Sequence, residues 1–259
     1  MSDAGLRLSV LRPHAGDQLP ADLDDYAGLV VLGGGMGAGE DAVHLWLPRT
    51  RALLAEAVAR EIPTLGVCLG AQLLAVATGG RVGPNPDGPE YGAQLVAKRA
   101  NAATDPLFGS LPITPDVIQW HVDAVLDLPP AAIGLASSPT CEVQAFRVGR
   151  LAWGIQFHIE TTPQVLRDWA EEDVVALADY DVEAILARAD SAHADVAEAW
   201  QPFAVAFAAV IADPAGVAPA RPMRISTADP ITDPAAIRAA LAAEMQSARQ
   251  LPWPSPRPE

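Results

Sequence analysis

The stretch PTLGVCLGAQLLAVATGG, residues 63–80, constrains the fold more than any other. An apolar run at 64–67 is too short for a helix and reads as a buried strand. A helical pattern begins at once, over 69–77, and closes at Gly79 and Gly80. Only Cys68 separates the two, so the strand must turn sharply into the helix. Gly66 and Gly70 flank the cysteine and keep side chains out of the crowded turn. The turn is a nucleophile elbow. It leaves Cys68 at the top of a sheet and at a helix N-terminus, where the dipole and free N–H groups favour a thiolate.

The rest of the chain fits a sheet built around that turn. Residues 6–13 and the run AGLVVLGGG, ending in a glycine turn at 33–35, read as strands. LPRTRALLAEAVARE, residues 47–61, has Leu53, Leu54, Ala57 and Val58 at helical spacing. DVIQWHVDAVLDLP, residues 116–129, alternates like one strand, and EVQAFRVGRLAWGIQFH reads as two strands joined near Gly149. Alternating strands and helices predict an α/β fold with a doubly wound, mainly parallel sheet. After Thr162 the pattern turns helical. A Thr-Pro start opens one helix, and 181–212 reads as two more, the second interrupted near Pro202.

A thiol nucleophile needs a base, a group that orients the base and an oxyanion hole. Five histidines are present. His14, His44 and His193 sit in polar or partnerless settings. His158 closes an apolar strand, and Glu160 lies two residues on, on the same side at strand spacing. His158 is therefore the expected base and Glu160 its orienting carboxylate. The turn after VVL and the amide of Leu69, just past the cysteine, are the expected oxyanion donors. Residues 33–38 also fit Gly-x-Gly-x-x-Ala, but Glu56, at the distance of a dinucleotide-binding acid, falls in a helical pattern. No Gly-Lys-Ser/Thr phosphate loop is present. Cys68, His121, Asp123, His158 and Glu160 offer no close ligand pair of the structural-metal type, so no metal or cofactor is expected. Cys141 reads as a core residue.

GVCLGAQ, FHIE and the VLGGG turn together resemble a class I glutamine amidotransferase. GGRVGPNPDGPEYG and QWHVD resemble segments of the GMP synthase glutaminase domain, and order and spacing agree over roughly residues 6–165. Isoleucine replaces the common proline in His-Ile-Glu, and methionine replaces it after Gly34-Gly35. The resemblance implies a flavodoxin-like sheet and a set of roles. Cys68 attacks the γ-amide carbon of glutamine, His158 handles the protons and Glu160 orients it. Gly35 and Leu69 supply oxyanion N–H groups. Gln72 contacts the bound glutamine, and Trp120 and His121 border the pocket for its α-groups. Family members also open with a strand and helix ahead of the segment matched here. Residues 1–5 are too few to supply them, which implies an upstream start.

The expected organisation is an amidotransferase-like domain at 1–165, a helical extension at 166–212, and a tail at 213–259. That tail holds a Pro/Ala-rich linker, a helix at 233–250 and a disordered end. No ATP pyrophosphatase domain follows, so the resemblance implies a free-standing domain that serves a synthetase subunit, with a homodimer as one use of the extension. An autonomous γ-glutamyl hydrolase and a catalytically silent binding protein are the alternative readings. The charge balance, 17 Lys+Arg against 32 Asp+Glu, argues against nucleic acid or an anionic membrane as partner. Two cysteines make no disulfide framework, and the first residues lack the pattern of a signal peptide. A cytoplasmic location follows from these two features.

Overall fold

The computed structural model describes residues 5–130 and 132–218. The chain runs β1 (Leu29–Val31), α1 (Leu47–Ala59), β2 (Thr64–Val67), α2 (Leu69–Ala77), β3 (Arg81–Pro84), β4 (Glu90–Leu95) and β5 (Ala97–Lys98). It continues through β6 (Asp116–His121), β7 (Asp123–Asp127), β8 (Ala132–Ser137), β9 (Ala145–Val148) and β10 (Ala152–Ile155) to α3 (Pro163–Glu172) and α4 (Val182–Ala212). Six strands form one sheet in the order β1-β2-β10-β9-β8-β5. Its β1, β2 and β10 are parallel neighbours, with Gly66 opposite Gly154 and Val67 opposite Ile155. The sheet then continues antiparallel through β9 and β8. The parallel strands therefore end side by side, the place where open α/β sheets carry their sites.

Both faces of the sheet are covered. Leu47, Leu54, Leu73 and Leu74 from α1 and α2 pack with Phe146 and Val148. On the other side Val67, Trp153, Ile155 and Phe157 pack with Trp200, Phe203 and Phe207 of α4. Two of the helix starts are set by capping. The Thr162 hydroxyl accepts from the Val165 amide at 3.3 Å ahead of Pro163, and the Asp181 carboxylate accepts from the Ala184 amide at 3.0 Å.

Three local expectations are corrected. Residues 6–12 form no strand, and Leu8 and Val10 are exposed. Alternation prepares a strand, but its ladder bonds must come from a neighbour, and none among the described residues pairs there. The run 116–129 is two strands, not one. A bend at Val122 sends β6 to pair with β4 and β7 to pair with β3. The region 182–212 is a single helix that continues through Pro202. An internal proline costs about 3 kcal/mol. Trp200, Phe203 and Phe207, each almost fully buried around it, return roughly 1.5–3 kcal/mol apiece, and the Trp200 indole N–H donates to the Asp116 carbonyl at 2.8 Å. By length and composition α4 could cross a membrane, but these aromatics lie in the core instead. The expected helix at 233–250, the tail and most of the linker fall outside the described residues.

Candidate active site

The elbow is as tight as its glycines suggest. Cys68 has φ 52° and ψ −110°, one of two non-glycine residues with positive φ among the described residues. Such backbone is rare for a side chain and collects at functional sites. A Cβ on Gly66 would lie 2.5 Å from the Gly70 carbonyl oxygen, and one on Gly70 would lie 1.9 Å from that of Val31. The close approach of three chain segments thus forbids any side chain on either flank.

His158 reaches the same place from the end of β10. Its amide donates to the Ile118 carbonyl at 2.7 Å, which pins the backbone to β6. Its Nδ1 lies 2.7 Å from Glu160 Oε1, and Glu160 Oε2 accepts from the Ile159 amide at 2.9 Å. Burial by itself would lower the His158 pKa. The charge and hydrogen bond of Cys68, and those of Glu160, outweigh burial and raise it to about 10. Glu160 moves the other way. Burial opposes its ionisation, but the hydrogen bond and charge of His158 hold its carboxyl below the usual range. The Trp169 ring closes over His158 with centroids 4.8 Å apart.

The glycine turn lies over this pair. A Cβ on Gly33 would stand 2.9 Å from His158 Cε1 and 3.5 Å from Cys68 Cβ, while one on Gly34 would meet Leu69 at 3.1 Å. Gly35, the expected oxyanion donor, is exposed, with nothing within 4 Å of a Cβ placed there. Leu69 is the first residue of α2. Trp120 lies against the nucleophile through its backbone, since the Cys68 thiol donates to its carbonyl at 3.8 Å. Its indole N–H donates to Asp173 at 2.7 Å.

The expected pocket residues Gln72 and His121 are engaged by protein groups. Gln72 Nε2 donates to the Asp123 carbonyl at 3.0 Å and to Gln156 Oε1 at 3.3 Å. The His121 ring lies between the same Asp123 carbonyl, 3.0 Å away, and Glu90 Oε2, 2.9 Å away. Glu90 also accepts from Ser138, Thr140 and Gln144. Burial opposes its charge, yet these bonds and His121 keep its carboxyl below the usual range. Gln156, Glu90 and Asp123 are members of the site that the sequence reading left out as binding or catalytic residues. Beside this network lies a cavity of about 220 Å³ lined by Ala38, Gly39, Arg51, Val76, Val82 and Asp123. Its lining does not include Cys68 or His158, which are themselves almost fully buried.

The profile of glutamine amidotransferase class-I matches residues 1–175. The chain belongs to the class I glutamine amidotransferase family. It is 31% identical over 148 residues to gamma-glutamyl peptidase 3 of Arabidopsis thaliana, covering 56% of this chain and 59% of the relative. It is 38% identical over 118 residues to the glutamine-hydrolyzing subunit of GMP synthase from Natronomonas pharaonis, covering 44% of this chain and 59% of that protein. The chain thus spans less than two thirds of either relative. A glutamine amidotransferase from Thermotoga maritima, known from its crystal structure, superposes with a TM-score of 0.70 at 29% identity, over 80% of this chain and 89% of its own. The expected family and fold class are therefore those of this amidotransferase.

Proposed function

We propose that the chain hydrolyses the γ-amide of glutamine through a thioester on Cys68. One observation carries this reading: an elbow cysteine in strained backbone is coupled to a buried histidine whose other nitrogen is held by a carboxylate. The Cys68 sulfur attacks the amide carbon. The C–S bond forms, and the carbonyl oxygen takes up the charge, facing the amides of Leu69 and Gly35. His158, cationic and held by Glu160, gives its proton to the departing nitrogen as the C–N bond breaks, and ammonia leaves. His158, now neutral, takes a proton from water, and the hydroxide formed attacks the thioester. The C–S bond breaks, glutamate leaves and the sulfur regains its charge. Trp120 and His121 border the substrate, and Gln72 stands at the base of that pocket.

The likeness to the glutamine-hydrolyzing part of a GMP synthase supports delivery of the ammonia to a synthetase subunit. The likeness to a gamma-glutamyl peptidase favours a second reading, in which the same residues cut another γ-glutamyl amide without a partner. Ammonia release from glutamine by the purified chain, beside Cys68→Ala, tests the shared chemistry. Release that disappears in the variant supports it, and equal release from both contradicts it. A panel of γ-glutamyl amides, assayed with the chain alone, then separates the two readings.

A further inference from the structure

Gln156 stands two residues before His158 on the same strand path, so the two side chains share a face. It is 2% exposed, and its Nε2 donates to the Cys68 sulfur at 3.7 Å. The direction of that bond is fixed from the far end of a chain of contacts. The Asp123 carbonyl can only accept, so the Gln72 group that meets it at 3.0 Å is the NH₂. The same NH₂ meets Gln156 at 3.3 Å, so the Gln156 atom there is the oxygen. The Gln156 NH₂ must then face the sulfur. Polar orientation passes in this way from a backbone carbonyl through two buried carboxamides to the nucleophile.

We propose that Gln156 is a further catalytic residue, donating an N–H to the Cys68 sulfur and holding it for attack, with Gln72 as its positioning residue. A hydrogen bond of this kind strengthens when the acceptor becomes charged. A carboxamide brings that bond without adding a buried charge, and it does not compete for the proton that His158 delivers. Gln72, with both amide protons engaged, acts here through Gln156.

The proposal rests on Cys68 being the nucleophile, and one experiment separates the two claims. The full chain is alkylated with iodoacetamide from pH 5 to 10, and the rate at Cys68 is followed by peptide mapping. This reagent carries no amino-acid portion, so substrate contacts do not enter. Gln156→Met is expected to slow Cys68 labelling at pH 7 about tenfold or more and to move the profile to higher pH. Gln156→Glu, which puts a carboxylate against the sulfur, moves it further. Gln72→Met shifts it the same way by less, whereas a residue that only binds substrate would leave labelling unchanged. Variants that melt like the wild type and label at its rate overturn the proposal. A wild-type chain in which Cys68 stays unlabelled overturns the nucleophile reading and this proposal with it. NMR of the unmutated chain adds a readout that needs no folded variant. The Gln156 side-chain amide proton is expected to move as Cys68 titrates, and a resonance that stays still overturns the bond.

Discussion

Cys68 and Cys141 are both buried, at 6% and 3% exposure, and both donate a weak hydrogen bond to a backbone carbonyl. Their surroundings differ in sign. Cys68 sits in positive-φ backbone against the His158–Glu160 pair and the Gln156 amide. Cys141 sits near carboxylates. Burial first, and then the charges of Glu90, Glu142 and Asp87, push its thiol up to about 12, with the Val143 carbonyl 3.6 Å from its sulfur. Burial alone therefore does not decide what a cysteine does. A cation and N–H donors around the sulfur make a nucleophile, and a carboxylate neighbourhood makes a packing residue.

The comparison breaks most directly at His158. His158→Ala should cut ammonia release by about 10³-fold or more, while Cys141→Ala should leave it within about twofold, in steady-state assays run side by side. Similar losses in the two variants would erase the distinction. Glu160→Gln keeps the shape but loses the charge that holds His158, and about a 10²-fold loss is expected. The third effect is a titration, read from the His158 ring by NMR. The wild-type imidazolium persists to about pH 10 because the interaction with Cys68 outweighs burial. Cys68→Ala removes the leading interaction that raises this pKa, so His158 should release its proton at lower pH. Glu160→Gln should move it the same way by less. A midpoint unmoved by Cys68→Ala would show that sulfur and ring are not coupled. The smallest effect is on stability. Cys141→Ala deletes one buried sulfur and should cost about 1 kcal/mol in a denaturant melt, and no measurable change would show that the sulfur adds little packing.

Much of this contrast was legible in the residues. The period of 64–77 places the strand, the helix and the glycines, because a turn with no loop leaves few alternatives. Glu160 follows from strand parity, since residues i and i+2 share a face. The same parity reaches Gln156 in the other direction: a glutamine inside the apolar run WGIQFH, two before His158, was the available signal. Other features depend on distant partners. Residues 6–12 alternate like a strand, yet pairing is a property of the neighbour. The bend at Val122 divides an alternating run between two sheets. Pro202 follows the local rule for a helix break, and the aromatic packing of α4 overrides it. The partners of His121 came from Glu90, 31 residues away in sequence, a separation at which no local pattern speaks.

The central claim is that Cys68, and not Cys141, makes the covalent bond to a γ-glutamyl group. Treatment of the full native chain with a glutamine-like diazoketone, followed by peptide mass mapping, tests it most directly. The account predicts one adduct per chain, on Cys68, lost when glutamine is present in excess. An adduct spread over both cysteines, or native Cys68 left unmodified, would contradict it.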